Sequence, residues 1–403
     1  MEAVQGEFET SYLEGTGELT GLIFLNAEPT LKPAGAQANT VNTIRPSDSF
    51  VRKDVGGQSV FEERQASNHD FGVVKSKSTK GPPISIAVRK LEARVALAFV
   101  IIPFIGFISA IILLWGHGIG VVEVSLLCGM FAVTAIGVEV GFHRFLTHRA
   151  FETGPTVRAL LAIFGSMAAQ GSPIYWAAIH RRHHQHSDQP GDPHSPHLHG
   201  TGIRGVLWGF WHAHVGWLFE PETTDRMRLV PDLFRDKVVF KLSQFYLVWL
   251  VLGLLIPAIL GGILARTWTG VFYGFLWGGL VRIFLLQHTI WSTNSICHLY
   301  GSRPFECHDK STNNIWLSLI SFGQSWHNNH HAFPSSAINK LRWWQIDLGG
   351  FTIRALEFLG LAWNIRIPPS QNTADTYRTL TGPEPSSEVR EFSEKAEHDR
   401  QST

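Results

Sequence analysis

Residues 324–334 read QSWHNNHHAFP and put His327, His330 and His331 within five residues. Residues 179–185, IHRRHHQ, repeat the spacing with His180, His183 and His184. Positions i, i+3 and i+4 share one face of an α-helix, so each triplet can aim its imidazoles at one point. Three protonated imidazoles at that distance repel, and three neutral ones buried without partners are costly. A metal ion removes both difficulties, because neutral imidazole is the commonest metal ligand. A histidine-rich surface helix could explain one such triplet but is a poor account of two.

Two further groups lie outward from these. GFHRFLTH (141–148) supplies His143 and His148, and WSTNSICH (291–298) supplies Asn294 and His298 at i, i+4. A spacing of five separates His143 and His148 by about 140° on an ideal α-helix. One flat face therefore does not carry both. They reach a common site at a helix end, or they serve two different ions. The imidazoles of His143, His148, His180, His183, His184, His298, His327, His330 and His331 are too many for one ion and suit two that keep open positions. Asn294 adds an oxygen donor, directly or through water. Imidazole leaves zinc, copper, iron and nickel open. Carboxylate di-iron bundles use Glu and E-x-x-H on their helices, and no E-x-x-H occurs in these clusters.

The chain has 403 residues, 44% hydrophobic and 17% charged, with a net charge of +1, which gives no electrostatic reason to expect nucleic acid. Its apolar residues gather in four runs, 95–115, 119–142, 242–265 and 268–291. Each is long enough to cross a hydrocarbon core as a helix. The first pair is joined by 116–118 and the second by Arg266 and Thr267, so both are tight hairpins. Arg89, Lys90, Arg94, Arg144, Arg149, Arg181, Arg182, Arg235, Lys237 and Lys241 fall on the opposite side, which the positive-inside rule makes cytoplasmic. Every dense histidine cluster falls on that same side. The expected fold is all-α and integral to a lipid bilayer: four transmembrane helices under a cytosolic helical cap, with both termini cytoplasmic, in the plasma membrane or endoplasmic reticulum. Residues 155–170 read as an interfacial or re-entrant helix, and the Trp-rich stretch 203–219 as a membrane–water boundary.

Residues 1–88 and 369–403 are polar and without sustained period, and are expected to be flexible tails around a core at 89–368. The acidic N-terminus carries no signal-peptide pattern. Cys128, Cys297 and Cys307 are too widely spaced for a disulfide framework or a cysteine zinc site. Glu139, Arg282 and His288 lie inside the apolar runs, where such groups are costly. They serve function or pair structurally, with Glu139 a partner for either of the other two. His197, His199, His212 and His214 read as interface residues rather than ligands.

GFHRFLTHRAF, WAAIHRRHHQHSDQPGDPHSP, HVGWLF, WSTNSICH and GQSWHNNHHAFP, in this order and with spans between, resemble the integral-membrane fatty acyl desaturases of the Δ9 type, the family of stearoyl-CoA desaturase and the cyanobacterial acyl-lipid Δ9 desaturases. The resemblance covers about residues 88–368. It implies that the nine histidines hold two iron ions (Fe2+/Fe3+), with Asn294 at an oxygen-ligand position. It places Asp188, Asp192 and His194 behind the ligands, where ligating histidines donate their second N–H. It implies O2 as co-substrate, a saturated acyl chain on CoA or a membrane lipid, a cis double bond at Δ9, and a separate electron donor of ferredoxin or cytochrome b5 type, since neither tail carries an H-P-G-G haem motif. Ala178 and Ile179 stand where acyl-CoA members often carry an Arg-Asp pair, which favours a lipid or another carrier. Gly137, Gly141, Trp176, Trp208 and Trp217 are candidate walls of an acyl tunnel. The rivals are a hydroxylase or ketolase of the same histidine-rich superfamily and a non-catalytic membrane metal-binding protein.

Overall fold

A computed structural model describes residues 86–221 and 223–367, so most of the two expected tails lies outside the described residues. Among the described residues the regular structure is helical, apart from one two-residue strand pair, Glu152–Thr153 with Ala362–Trp363, and two isolated bridges at Asn313. Four helices are long and apolar enough to cross a membrane. They are α1 (Ile86–His117), α2 (Val121–Thr147), α6 (Tyr246–Ala265) and α7 (Trp268–His298). Between them lie α3 (Pro155–Ser166), α4 (Pro173–His186) and α5 (Gly202–His214), and after them α8 (His327–Ala332) and α9 (Leu348–Phe358). The α1–α2 link is three residues. The α6–α7 link turns on Arg266, whose φ of 55° ends α6 in the left-handed conformation. The two hairpins bring the C-terminal ends of α2 and α7 to the same end of the bundle, the end from which every histidine group emerges.

Two prolines lie inside spans, and a polar side chain answers each. Pro257 has no N–H for the Gly253 carbonyl four residues earlier, and Pro103 has none for that of Phe99. Arg282 donates to the Gly253 oxygen at 2.7 Å and to that of Met167 at 2.7 Å. Gln287 donates to the Phe99 oxygen at 3.2 Å. Backbone groups freed inside a bilayer must find partners within the protein. Arg282 is thereby accounted for structurally. The expectation that Glu139 pairs with Arg282 or His288 is corrected: it pairs with Arg144 and His143. The reason is local winding, described below, which brings Arg144, five residues on, to the same face as Glu139.

The expected tunnel walls also divide. A Cβ on Gly137 would stand 2.1 Å from the Gly165 nitrogen, and one on Gly141 2.9 Å from the Leu161 oxygen. Both glycines let α3 lie against α2 and are packing points rather than tunnel walls. Trp208 is 60% exposed on the outer face of α5 and is no wall either. Trp176 lines one cavity beside His180, and Trp217 lines that one and a larger neighbour.

Candidate metal centre

The lower part of α2, Gly137–Thr147, is wound as a π-helix. Its i→i+5 bonding continues into His148, whose N–H donates to the His143 oxygen at 3.1 Å. Residues five apart then face the same way. This brings His143 and His148 together, their rings 4.9 Å apart, and answers the 140° difficulty of an ideal helix. On α4, Ser172 caps the N-terminus by accepting from the Tyr175 N–H, and Pro173 opens the helix. This fixed start aims His180 and His184 at one point and His183 at another. The short α8 likewise sends His330 one way and His327 and His331 the other.

Two all-histidine clusters result, and His194 forms a third group of potential ligands with His183 and Asp192. His143, His148, His180, His184 and His330 converge in one, and His183, His298, His327 and His331 in the second. In each, the nitrogens lie within 4.8 Å of one another. In the first, Nε2 of His330 stands 3.1 Å from that of His143 and 3.0 Å from that of His184, itself 3.1 Å from that of His180. In the second, Nε2 of His327 stands 3.0 Å from that of His298 and 3.1 Å from that of His331. Asn294 lies in the wall of a small cavity beside His180 and His194.

Carboxylates decide which ring nitrogen is free. Nδ1–H of His183 donates to Asp192 at 3.0 Å, of His298 to Asp188 at 2.8 Å, of His331 to Asp309 at 2.6 Å and of His143 to Glu139 at 3.0 Å. With Nδ1 protonated, Nε2 carries a lone pair, and these lone pairs face one another. Nε2 of His148 and of His183 is buried with no hydrogen-bond partner. Converging lone pairs need a cation. With a metal–nitrogen bond of about 2.1 Å, neighbouring donors to one ion stand about 3.0–3.4 Å apart, and the observed 3.0–3.1 Å falls in that range. The clusters can therefore hold two metal ions.

Electrostatics agree for six of the nine imidazoles. Burial, then the neighbouring imidazoles, hold His148, His180, His184, His327, His330 and His331 well below the ordinary histidine range, so they are neutral ligands in waiting. His183 moves the other way, because Asp192 outweighs its burial. Burial alone would raise Asp188 and Asp192, but His298 and His183 hold both well below the carboxylate range. The 187–195 loop supplies both carboxylates. Gly191 turns at a φ of 114° and Asp188 sits at 58°. Asp188 also accepts from Ser195 Oγ at 2.6 Å and from the Lys310 N–H at 2.8 Å. His194 touches no ligand by hydrogen bond. Its backbone N–H donates to Asp192 at 3.1 Å, and burial takes its ring down to about 3.

Three supporting residues were not singled out in this role from sequence. Glu139 is four residues before His143, a spacing that marks it in hindsight. Asp309 sits in a loop and carries no local signal. Asp347 binds Arg144 at 2.7 Å, Arg144 binds Glu139 at 2.8 Å, and Asp347 also accepts from the Gly350 N–H at the start of α9. The position of α9 is thus tied to the orientation of His143. The support is uneven. Three aspartates stand behind the four-histidine cluster. One glutamate, already paired with Arg144, stands behind the five-histidine cluster.

Four helices long and apolar enough to cross a membrane, with two adjacent histidine clusters that could each hold a metal ion, fit a histidine-rich membrane protein. The fatty acid desaturase family model matches residues 117–349. Hex-5-enoyl-[acyl-carrier protein] acetylenase of Moorena producens is 51% identical over 286 residues, 70% of this chain and 89% of that protein. The sn-1 stearoyl-lipid 9-desaturase of Anabaena variabilis is 39% identical over 235 residues, 58% and 79% of the two chains. The acyl-CoA C20 Δ5-desaturase of Anemone leveillei is 36% identical over 246 residues, 60% and 71%. The chain belongs to the fatty acid desaturase family.

Proposed function

We propose that this protein is an O2-dependent desaturase of a fatty acyl chain, with His143, His148, His180, His184 and His330 holding one iron and His183, His298, His327 and His331 the other. The observation that carries the reading is the pair of buried imidazole clusters, the nitrogens of each within 4.8 Å of one another, beside a cavity that reaches His180. The balance is –CH2–CH2– with O2, two electrons and two protons giving –CH=CH– and two waters. The electrons come from a separate one-electron donor of ferredoxin or cytochrome b5 type. No side-chain base deprotonates an alkane, so the iron pair supplies the power to take hydrogen from a methylene. The chain's own residues do the rest. Asp188, Asp192, Asp309 and Glu139 hold the ligand tautomers. Trp176, Trp217 and Trp291 hold the acyl chain and keep water out. Asn294 adds an oxygen donor at the cavity wall, and His194 fixes the turn that presents Asp192. The clusters and both termini face the cytoplasm.

Two positions along the chain are open by likeness. Δ9 follows the 9-desaturase relatives, and a bond near the end of a short chain follows the acetylenase. The carrier differs among these relatives as well. Purified protein in lipid, supplied with reduced donor and 18O2, tests the reaction. An unsaturated product free of 18O, with 18O in water, is expected. An oxygenated product would move the reading to a hydroxylase or ketolase.

A further inference from the structure

Residues 314–325, NIWLSLISFGQS, invert the pattern of a surface loop. Every residue left exposed between the two ends is apolar: Ile315, Trp316, Leu319 and Ile320, with Trp316 88% and Leu319 55% exposed. The hydroxyl residues go the other way, and Ser318, Ser321 and Ser325 are buried. No Asp, Glu, Lys or Arg occurs between Lys310 and Lys340. Single exposed apolar residues are ordinary on any protein, but four together on one short loop mark a contact surface.

The loop also satisfies its own backbone. The Asn314 side-chain oxygen accepts from the N–H groups of Trp316 at 3.1 Å and Leu317 at 3.3 Å, and Ser318 Oγ donates to the Ile315 oxygen at 2.7 Å. The N–H groups of Ser318, Ser321, Gly323 and Gln324 donate to the carbonyls of Ile315, Leu317, Ser318 and Ser321. The ends are tied to each other: the Asn314 N–H donates to the Ser325 oxygen at 2.9 Å, and Ser325 Oγ to the Asn314 oxygen at 2.7 Å. Backbone in water has no need of such closure, whereas backbone beside hydrocarbon must find its partners within the protein.

Position completes the case. Phe322 is buried in one core cluster with Ala135 of α2 and Leu286 and Ile290 of α7, and its ring stands 6.4 Å from that of Phe131. Those residues lie inside the apolar runs 119–142 and 268–291, so the loop is held against two spans and its outer face continues their lipid-facing sides. Trp326 then joins the loop to residues 342–346: its indole N–H donates to the Ile346 oxygen at 2.7 Å, and its ring stands 5.6 Å from that of Trp344. Arg342, Trp343 and Trp344 are exposed there, the mixture of cation and indole that suits a headgroup layer.

We infer that Ile315, Trp316, Leu319 and Ile320 are seated in lipid, in the leaflet on the histidine side, as a shallow insertion that fixes α8. The loop leads directly through Gly323 and Gln324 into His327, so its seat in the leaflet steadies His327, His330 and His331. The lipid contact stands apart from the desaturase reading; its link to iron rests on that reading.

The test uses the full chain with Cys128 and Cys307 replaced by Ser, in phosphatidylcholine vesicles and in discs that hold one chain. A bimane fluorophore is attached in turn at Trp316→Cys, Leu319→Cys, the span position Ile259→Cys and the charged cap position Glu306→Cys. Quenching is read with acyl-brominated phosphatidylcholine and with aqueous iodide. Labels at 316 and 319 should follow the one at 259, quenched by brominated lipid and spared by iodide. Quenching by iodide as strong as at 306 overturns the inference. Shielding from both reagents identifies a protein on this face, a second copy where the shielding is lost in single-chain discs, and also overturns it. Trp316→Asp with Leu319→Asp should speed loss of iron to a chelator about tenfold, well under the full cost of a carboxylate at the centre of a bilayer. Trp316→Phe with Leu319→Phe should hold iron as the wild type does. Unchanged iron loss in the aspartate pair overturns the link to α8. A wild-type chain that holds no iron counts against the desaturase reading and leaves the quenching result in force.

Discussion

Replacing Asp309 with Asn should loosen one metal ion and spare the other. Asp309 Oδ2 accepts from His331 Nδ1 at 2.6 Å, and its side chain is only 9% exposed, so water does not substitute for the lost charge. A carboxylate behind a ligating imidazole fixes its tautomer and raises its donor strength. Losing such a partner typically lowers metal affinity ten- to hundredfold, about 1.4–2.7 kcal/mol. Asp188 and Asp192 remain behind the same cluster, so the loss is partial. Burial alone would raise Asp309, but its hydrogen bonds with Ser311 and the nearby His298 and His327 hold it below the ordinary carboxylate range; it is charged at neutral pH. Glu139→Gln is the comparison, since Glu139 shares its charge with Arg144. The assay is titration of chelator-stripped protein with Co2+ or Fe2+ without oxygen, following stoichiometry by elemental analysis and ligand-field absorption. Asp309→Asn should separate the two binding steps, with the four-histidine step moved ten- to hundredfold and the five-histidine step within a factor of a few of wild type. Equal losses at both steps, or none at either, would refute the assignment of Asp309 to one cluster.

Other outcomes follow from the same structure. Arg282→Leu leaves the Gly253 and Met167 carbonyls unanswered in the bundle, and unfolding in detergent should show a loss of about 1–3 kcal/mol. Pro257→Ala restores an N–H to Gly253 and should recover part of that loss, whereas strict additivity would contradict the pairing. Gln287→Leu, by the same reasoning at the Phe99 and Ala169 carbonyls, should be milder than Arg282→Leu, because two neutral bonds are lost instead of several charged ones. Burial raises the Asp232 carboxyl, but Arg181 and Arg149 outweigh it and bring it down to about 2. A depressed carboxylate stabilises above its unfolded value, near 4, and loses that effect as pH falls toward 2. Asp232→Asn should therefore flatten the acid limb of stability between pH 4 and 2, modestly because the pair is partly exposed, and an unchanged acid limb would count against the pair.

Much of the site was legible because its signals are local. Helical spacing marks His180, His183 and His184 and their counterparts in α8, and the apolar runs need no long-range information. Where the reading failed, the cause was a change of winding or a distant partner. His143 and His148 disagree with an α-helical face because Gly137–Thr147 is wound as a π-helix, which spacing statistics do not reveal. Asp309 and Asp347 meet His331 and Arg144 across 22 and 203 residues of chain. Gly137 and Gly141 look the same in sequence whether they floor a tunnel or seat a helix, and the neighbouring α3 decides for the helix. Arg282 could be read from sequence as functional or as a structural partner, because a buried charge in a span is costly. The proline that frees a carbonyl for it lies on another helix.

The most direct test of the account is the acyl profile of a host expressing the wild-type chain beside one expressing His184→Ala, with a reduced donor co-supplied and both proteins confirmed in the membrane. Double- or triple-bond position is read by mass spectrometry of derivatised esters. The account predicts new unsaturated acyl chains in the first host and none in the second. New oxygenated chains, or the same unsaturated chains from both hosts, would contradict it.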